Sequence, residues 1–213
     1  MNLEPIVRAM QGKGDLWEAL SSVRDDWERD PQAGLRELRA ALPTARETHV
    51  HQGDLRLSGK TTTFPGALEV RGHLVLEAQA MLSCIGALRV TGNIIIEDFD
   101  YTLIIAGGPI HASNFTTTGE CIAVGGLVIG GLYWTYLNDH STYAVSIDAA
   151  VVCTDDRSES VGTMRAPVVL DETAAIRPHL SPKLKPEPDD DGFGEWLVER
   201  LKEGTTIIAS PAS

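Results

Sequence analysis

Gly66-Ala-Leu-Glu-Val-Arg-Gly-His-Leu-Val-Leu-Glu77 is followed, twenty residues on, by Gly86-Ala-Leu-Arg-Val-Thr-Gly-Asn-Ile-Ile-Ile-Glu97. Both segments read Gly-Ala-Leu-x-Val-x-Gly-x, then three aliphatic residues and a glutamate. A fixed period near twenty, with two short β-rich runs in each unit, marks a chain that winds into stacked coils. The fold class this predicts is mostly β: a right-handed parallel β-helix, or β-solenoid.

Working outward, the pattern apolar-x-apolar-x-Gly recurs. It appears at Leu55/Leu57/Gly59, Leu68/Val70/Gly72, Leu88/Val90/Gly92, Leu103/Ile105/Gly107 and, more loosely, Cys121/Ala123/Gly125. The glycines are 13, 20, 15 and 18 residues apart, which reads as loops of different length leaving a common coil. Alternation sends one side chain inward and the next outward. Glycine is expected at the corners because it tolerates φ > 0. The two ends of such a stack are open sheet edges.

The flanking regions are helical. Asp15 is a candidate cap for a helix reaching about Trp27 or Arg29, with Leu16, Leu20, Val23 and Trp27 on one face. Asp30-Pro31 opens a second helix carrying Leu35, Leu38 and Leu42. These helices need an apolar surface, and the open end of the solenoid is the nearest one. Ala166-Pro-Val-Val-Leu170 reads as a last or edge strand. The organisation expected is 1–47 N-terminal helical cap, 48–177 β-solenoid, 178–191 Pro- and Asp-rich extended linker, and 192–213 C-terminal helix and tail. Phe193 to Glu203 is amphipathic and is stopped by Gly204.

The 213 residues include 18 basic and 30 acidic side chains, a net charge of −12. That balance argues against nucleic acid or an anionic membrane as partner. Residues 48–163 hold only 5 basic and 12 acidic side chains, and Glu120 is the single charge between Tyr101 and Asn138. Inward-facing β-structure or a charge-free docking surface each explains this. Cys84, Cys121 and Cys153 form no CxxC pair, which speaks for buried thiols in a reducing cytoplasm. The first residues lack the pattern of a signal peptide. The uncharged run Cys121–Leu137, broken by glycine doublets, reads as two buried strands with a turn rather than a membrane span.

At these repeats, over about residues 48–155, the chain resembles the small right-handed parallel β-helices of bacteria, including the bactofilin-like, polymer-forming proteins. The resemblance implies a β-helical core and, in those proteins, end-to-end polymerisation through open coils. The amphipathic helices here depart from that plan and would block growth if they capped the ends. Hexapeptide acyltransferases, which resemble a left-handed coil with an apolar residue every sixth position, do not fit, because Ile85 falls in phase with Thr91.

The residues that stand out chemically are few. Tyr133, Trp134 and Tyr136, followed by Asn138, Asp139 and His140, read either as core cover ending in a turn or as an exposed hot spot. Phe193 and Trp196 sit on a helix that either docks back or binds another protein. These eight residues are the candidate partner-binding set. His49-x-His51 is half of a metal site with no third ligand in view, so a solvated pair is expected, with no metal or cofactor. Glu77 and Glu97 occupy equivalent places and are expected to face water. An enzymatic reading would need Glu120, Asp139 and His140, with no nucleophile or substrate cradle beside them. The expectation is a non-catalytic, cytoplasmic, protein-binding solenoid, of immunity type with a basic toxin as partner. The alternative is a self-assembling, homo-oligomeric scaffold of the bactofilin-like kind.

Overall fold

A computed structural model of the chain describes residues 2–97, 102–136, 141–155, 159–184 and 192–208. The first coil is β1 (Thr48–Gln52), β2 (Leu55–Ser58) and β3 (Thr61–Phe64); the second is β4 (Ala67–Arg71), β5 (Leu74–Glu77) and β6 (Met81–Cys84). The third is β7 (Leu88–Val90), β8 (Ile94–Ile96) and β9 (Leu103–Ala106); the fourth is β10 (Ile110–Ala112), β11 (Phe115–Thr117) and β12 (Glu120–Ala123). Above them β13 (Leu127–Thr135), β14 (Thr142–Thr154) and β15 (Glu159–Arg165) bend around corners, and β16 (Val168–Leu170) closes the stack.

All pairings between these strands are parallel, and they sort into three flanks. The first flank stacks β1, β4, β7, β10 and the parts of β13 and β14 around Val128 and Asp148. The second stacks β2, β5, β8, β11, then the Tyr133 and Val152 regions, then β16. The third stacks β3, β6, β9, β12, then the Ala144 and Val161 regions. The molecule is a three-sided parallel β-solenoid of about six turns. On the first flank, Leu68, Leu88, Ile110, Leu127 and Ile147 stand above one another, so a turn takes 17 to 22 residues. The apolar-x-apolar-x-Gly pattern proves to belong to all three flanks. Gly59 follows the second flank, Gly72 and Gly92 the first, and Gly107 and Gly125 the third. The glycine separations of 13 and 15 are therefore parts of a turn, not short coils.

The reason for these glycines also differs from expectation. Gly59 does have φ +62°, but Gly72, Gly92, Gly107 and Gly125 do not have positive φ. Their constraint is the coil beneath. A Cβ on Gly92 would lie 2.7 Å from the Gly72 carbonyl oxygen and 2.7 Å from His73 Nδ1. Cβ atoms on Gly107 and Gly125 would likewise strike the backbone of Ile85 and Pro109. Inward residues of all three flanks form one core, from Leu57 and Leu68 through Ile94, Ile104 and Phe115 to Val152.

Four helices precede the solenoid: α1 (Glu4–Met10), α2 (Leu16–Ser21), α3 (Arg24–Arg29) and α4 (Pro31–Ala41). Asp15 caps α2 by accepting from Glu18 N–H at 2.8 Å, and Asp30 caps α4 by accepting from Ala33 N–H at 2.9 Å. The helix expected from Asp15 to Arg29 is two helices. Ser22 Oγ donates to the Ala19 carbonyl at 2.7 Å and ends α2, while Val23 and Trp27 stay on the buried stripe.

These helices do not sit over the end of the solenoid. They pack on its third flank, burying Leu16, Leu20, Trp27, Leu35 and Leu38 against outward-facing Leu103, Ile105, Ile122 and Tyr143. Trp27 meets Tyr143 edge-on, with ring centroids 6.0 Å apart. Arg24 also reaches the otherwise buried Glu120 at 3.0 Å. Glu120 is thus half of a structural ion pair on that flank. The C-terminal part packs on the second flank. There α5 (Phe193–Lys202) covers outward-facing Val75, Ile95, Trp134, Val151 and Cys153, together with Ile176, Leu184 and Ile207. Residues 178–184, expected as extended linker, are docked: Leu184 is buried, Ser181 N–H donates to the Ile207 carbonyl, and Leu180 pairs with Ile208. Residues 185–191 lie outside the described set. Residues 102–136 circle all three flanks, so the charge-poor stretch is not one docking face.

If Cβ-to-backbone contact is the constraint at these corners, Gly92→Ala costs about 1–3 kcal/mol in a urea titration. Gly130→Ala, whose nearest atom would be 3.7 Å away, changes stability by less than about 0.5 kcal/mol.

Candidate functional site: the uncovered flank

The aromatic cluster is internal. Tyr133 points inside the coil, stacks on Phe115 with ring centroids 5.7 Å apart, and donates its hydroxyl to Thr142 Oγ1 at 2.8 Å. Trp134 points out from the same strand but is covered: its Nε1–H donates to Thr173 Oγ1 at 2.9 Å, and its ring lies 4.1 Å from that of Tyr136. Phe193 is buried beneath Arg177, whose guanidinium carbon lies 4.0 Å above its ring, and stacks on the half-buried Trp196. Tyr133, Trp134 and Phe193 are therefore not available to a partner. Alternation puts Tyr133 in the core, and the chain's own helix takes the outward tryptophan. Asn138, Asp139 and His140 lie outside the described residues. The structure thus brings Trp134, Tyr136, Phe193 and Trp196 together as an anchor for α5, not as an open hot spot.

The other singled-out residues have structural partners. Glu77 reaches Arg56 at 3.1 Å, and Glu97 reaches Lys202 at 3.0 Å, so neither simply faces water. His49 and His51 stand in register with inward-facing Leu68 and Val70, over the end of the core. His49 packs on Phe64 and lies 3.2 Å from Glu47, while His51 Nε2 is 3.1 Å from the Asp54 carbonyl oxygen. Among the described residues no cluster of three His, Cys, Asp or Glu side chains could hold a metal ion.

A polar ladder not anticipated from the sequence runs along the corner between the first and second flanks. Asp54, His73, Asn93 and Asn114 each precede a second-flank strand. Asp54 accepts from His73 N–H at 2.8 Å, His73 Nδ1 from Asn93 N–H at 3.0 Å, and Asn114 from Leu132 N–H at 2.8 Å. Asn114 donates to Asn93 Oδ1 at 2.9 Å, and Asn93 donates to the Leu201 carbonyl at 2.7 Å, adding a second donor to a carbonyl at the end of α5 that also accepts from Gly204 N–H at 3.1 Å. A cleft of about 430 Å³ lies between this ladder and residues 204–208, with Thr91, Ser113 and Gly131 among its walls. The ladder's hydrogen bonds run to one another and to the backbone. The legible signal was the repeated polar residue placed just before an aliphatic run, as in Gly-His-Leu and Gly-Asn-Ile.

Among the described residues, the first flank is the one no helix covers. Its strands alternate strictly: Leu68-Glu69-Val70, Leu88-Arg89-Val90, Ile110-His111-Ala112, Leu127-Val128-Ile129 and Ile147-Asp148-Ala149. The outward residues form one column by register: Val50, Glu69, Arg89, His111, Val128, Asp148, Arg165. Val50 and Val128 are 48% and 44% exposed, against 0% for outward-facing Ile95 and Ile122 on the other flanks. Glu69 pairs with Arg71 at 2.6 Å and Asp148 with Arg165 at 3.5 Å. Partial burial, and then the neighbouring Arg89, hold the His111 pKa below its ordinary value. The sequence reading missed this column because it pooled the strands of all three flanks into one motif.

A scan against protein-family models, a search of curated proteins and a search of solved structures each returned no match. Among the described residues, no helix is long and apolar enough to cross a membrane.

Burial, and then the Glu97 carboxylate, push the Tyr136 hydroxyl up to about 12. Burial pulls Lys202 down, but Glu199 at 2.7 Å and Glu97 outweigh it, leaving its pKa raised. Both groups hold their protons more tightly when folded. The Tyr136 contribution is complete below pH 10 and is lost as pH rises through about 12; that of Lys202 is likewise lost on the alkaline side. Tyr136→Phe is expected to flatten that alkaline limb in a pH series of urea midpoints. Trp134→Ala, which empties the anchor under α5, is expected to cost about 3–5 kcal/mol at neutral pH.

Proposed function

We propose that this protein is a non-catalytic binding solenoid whose uncovered first flank docks a protein partner. One observation carries the reading: two of the three flanks are sealed by the chain's own helices, and the third offers a rigid column of alternating charge with two exposed valines. A flat parallel sheet holds such a column at about 4.8 Å per rung, and that fixed spacing favours a partner with a matching array.

The charge of the flank bears on what the partner is. Its strands carry Glu69 and Asp148 against Arg71, Arg89 and Arg165. The acidic surplus of the chain lies elsewhere, so a basic toxin of the kind an immunity protein neutralises fits this surface less well than a partner of mixed charge. The bactofilin-like scaffold stays as a second reading on a separate observation. Among the described residues, strands β1, β2 and β3 pair on one side only, β15 and β16 pair only with β14, and the helices pack along the second and third flanks. Open edges of this kind invite end-to-end pairing.

The test is a capture experiment on extracts of the source cells. It uses the full chain beside an Arg89→Glu/Val128→Arg variant whose circular dichroism matches it. The reading predicts proteins held by the first and lost by the second. A partner retained equally by both contradicts it. Filaments that lengthen without limit as concentration rises would favour the end-to-end reading.

A further inference from the structure

We propose that a partner of the uncovered flank is a second copy of this chain, related by a two-fold axis. The inference rests on the flank being a docking surface and names its occupant.

The argument comes from the order of residues up the column. From the Glu69 rung to the Arg165 rung the outward residues are Glu69, Arg89, His111, Val128, Asp148 and Arg165. A two-fold axis lying in the interface, parallel to the strands and passing between the His111 and Val128 rungs, reverses that order. Glu69 then faces Arg165 of the second copy, and Arg89 faces Asp148. His111 faces Val128, and each contact occurs twice. All four charged contacts are between opposite signs. Running the columns parallel would instead set Glu69 on Glu69 and Arg89 on Arg89. Moving the axis onto the His111 rung would set Glu69 against Asp148. The sequence of charges thus selects one arrangement, and an isologous interface of this kind closes at two copies.

The rest of the flank permits close approach. On the side facing the third flank, Thr48, Ala67, Ala87, Pro109, Gly126 and Ser146 border the column, all small or neutral. On the other side Arg71 is the charged member. It already holds Glu69, which would be shared between Arg71 and Arg165 of the second copy. Asp148 would exchange its own-chain contact with Arg165 for Arg89 of the second copy. Six rungs and a strand width of five residues give a face of roughly 450 Å² per copy, or about 900 Å² in all, the size of a weak and reversible association.

Sedimentation equilibrium on the full chain, from about 1 to about 500 µM, reads this directly. The expected result is a reversible monomer–dimer equilibrium with no larger species. Arg89→Glu and Asp148→Arg are each expected to weaken the dimer by about tenfold or more. The double variant Arg89→Glu/Asp148→Arg restores opposite signs across the axis and should recover most of the loss. Val169→Asp, on the end strand β16, should leave it unchanged. A monomer at every concentration overturns the proposal. So does a dimer that Arg89→Glu leaves intact, or one that the charge swap fails to rescue. If Arg89→Glu/Val128→Arg abolishes heterologous capture while the unaltered chain stays monomeric, the flank remains a docking surface and only the second copy falls. If the variant changes neither capture nor mass, both readings fall.

Discussion

Alternate side chains of a strand leave opposite faces of the sheet, and in this solenoid two of the three flanks include strands that are apolar on both faces. Leu74-Val75-Leu76 and Ile94-Ile95-Ile96 on the second flank, and Leu103-Ile104-Ile105 on the third, have no polar residue to give to water. A strand of that kind needs cover on both sides. Each outward isoleucine or leucine is worth about 1.5–3 kcal/mol when buried. A row of four or five left in water would therefore cancel much of the ~5–15 kcal/mol by which a domain is stable. The helices α1–α4 and α5 follow from this requirement. They are flank covers, and among the described residues no helix covers the first flank.

The coils can only be this close because their corners carry no side chain. Gly72, Gly92, Gly107 and Gly125 lie directly on the backbone of the coil before them, so the repeat is preserved by a steric limit and not by an unusual φ. The ladder from Asp54 to Asn114 does related work on one corner. It supplies acceptors to backbone N–H groups where the strands turn and sheet bonding lapses, and through Asn93 it fixes the end of α5.

Much of the fold was legible because the repeat is nearly verbatim: the twin Gly-Ala-Leu segments do stack rung on rung, Leu68 on Leu88 and Leu74 on Ile94. The helix stripes were legible too, since Leu16, Leu20, Trp27, Leu35 and Leu38 are all buried. What covers what was harder. The placement of the helices was readable from the contrast between continuous aliphatic triplets and strictly alternating ones, but that contrast is visible only once strands are sorted by flank. The candidate site was misread for a related reason. Trp134 and Phe193 looked like anchors for another protein, and they are anchors, but for each other. A lone chain gives no sign of whether an apolar helix covers its own sheet or a neighbour's.

Thiol labelling at one outward position per flank tests the covering scheme most directly. Cys84, Cys121 and Cys153 are buried, and burial pushes the Cys84 thiol up to about 12, so the native cysteines stay silent. Val128→Cys, Ile95→Cys and Ile122→Cys would be treated with a maleimide in separate dilute samples. The account predicts rapid labelling at 128 and protection at 95 and 122 until the protein is unfolded. Labelling at 95 or 122 as fast as at 128 would contradict it, because the helices would then not be seated on the second and third flanks.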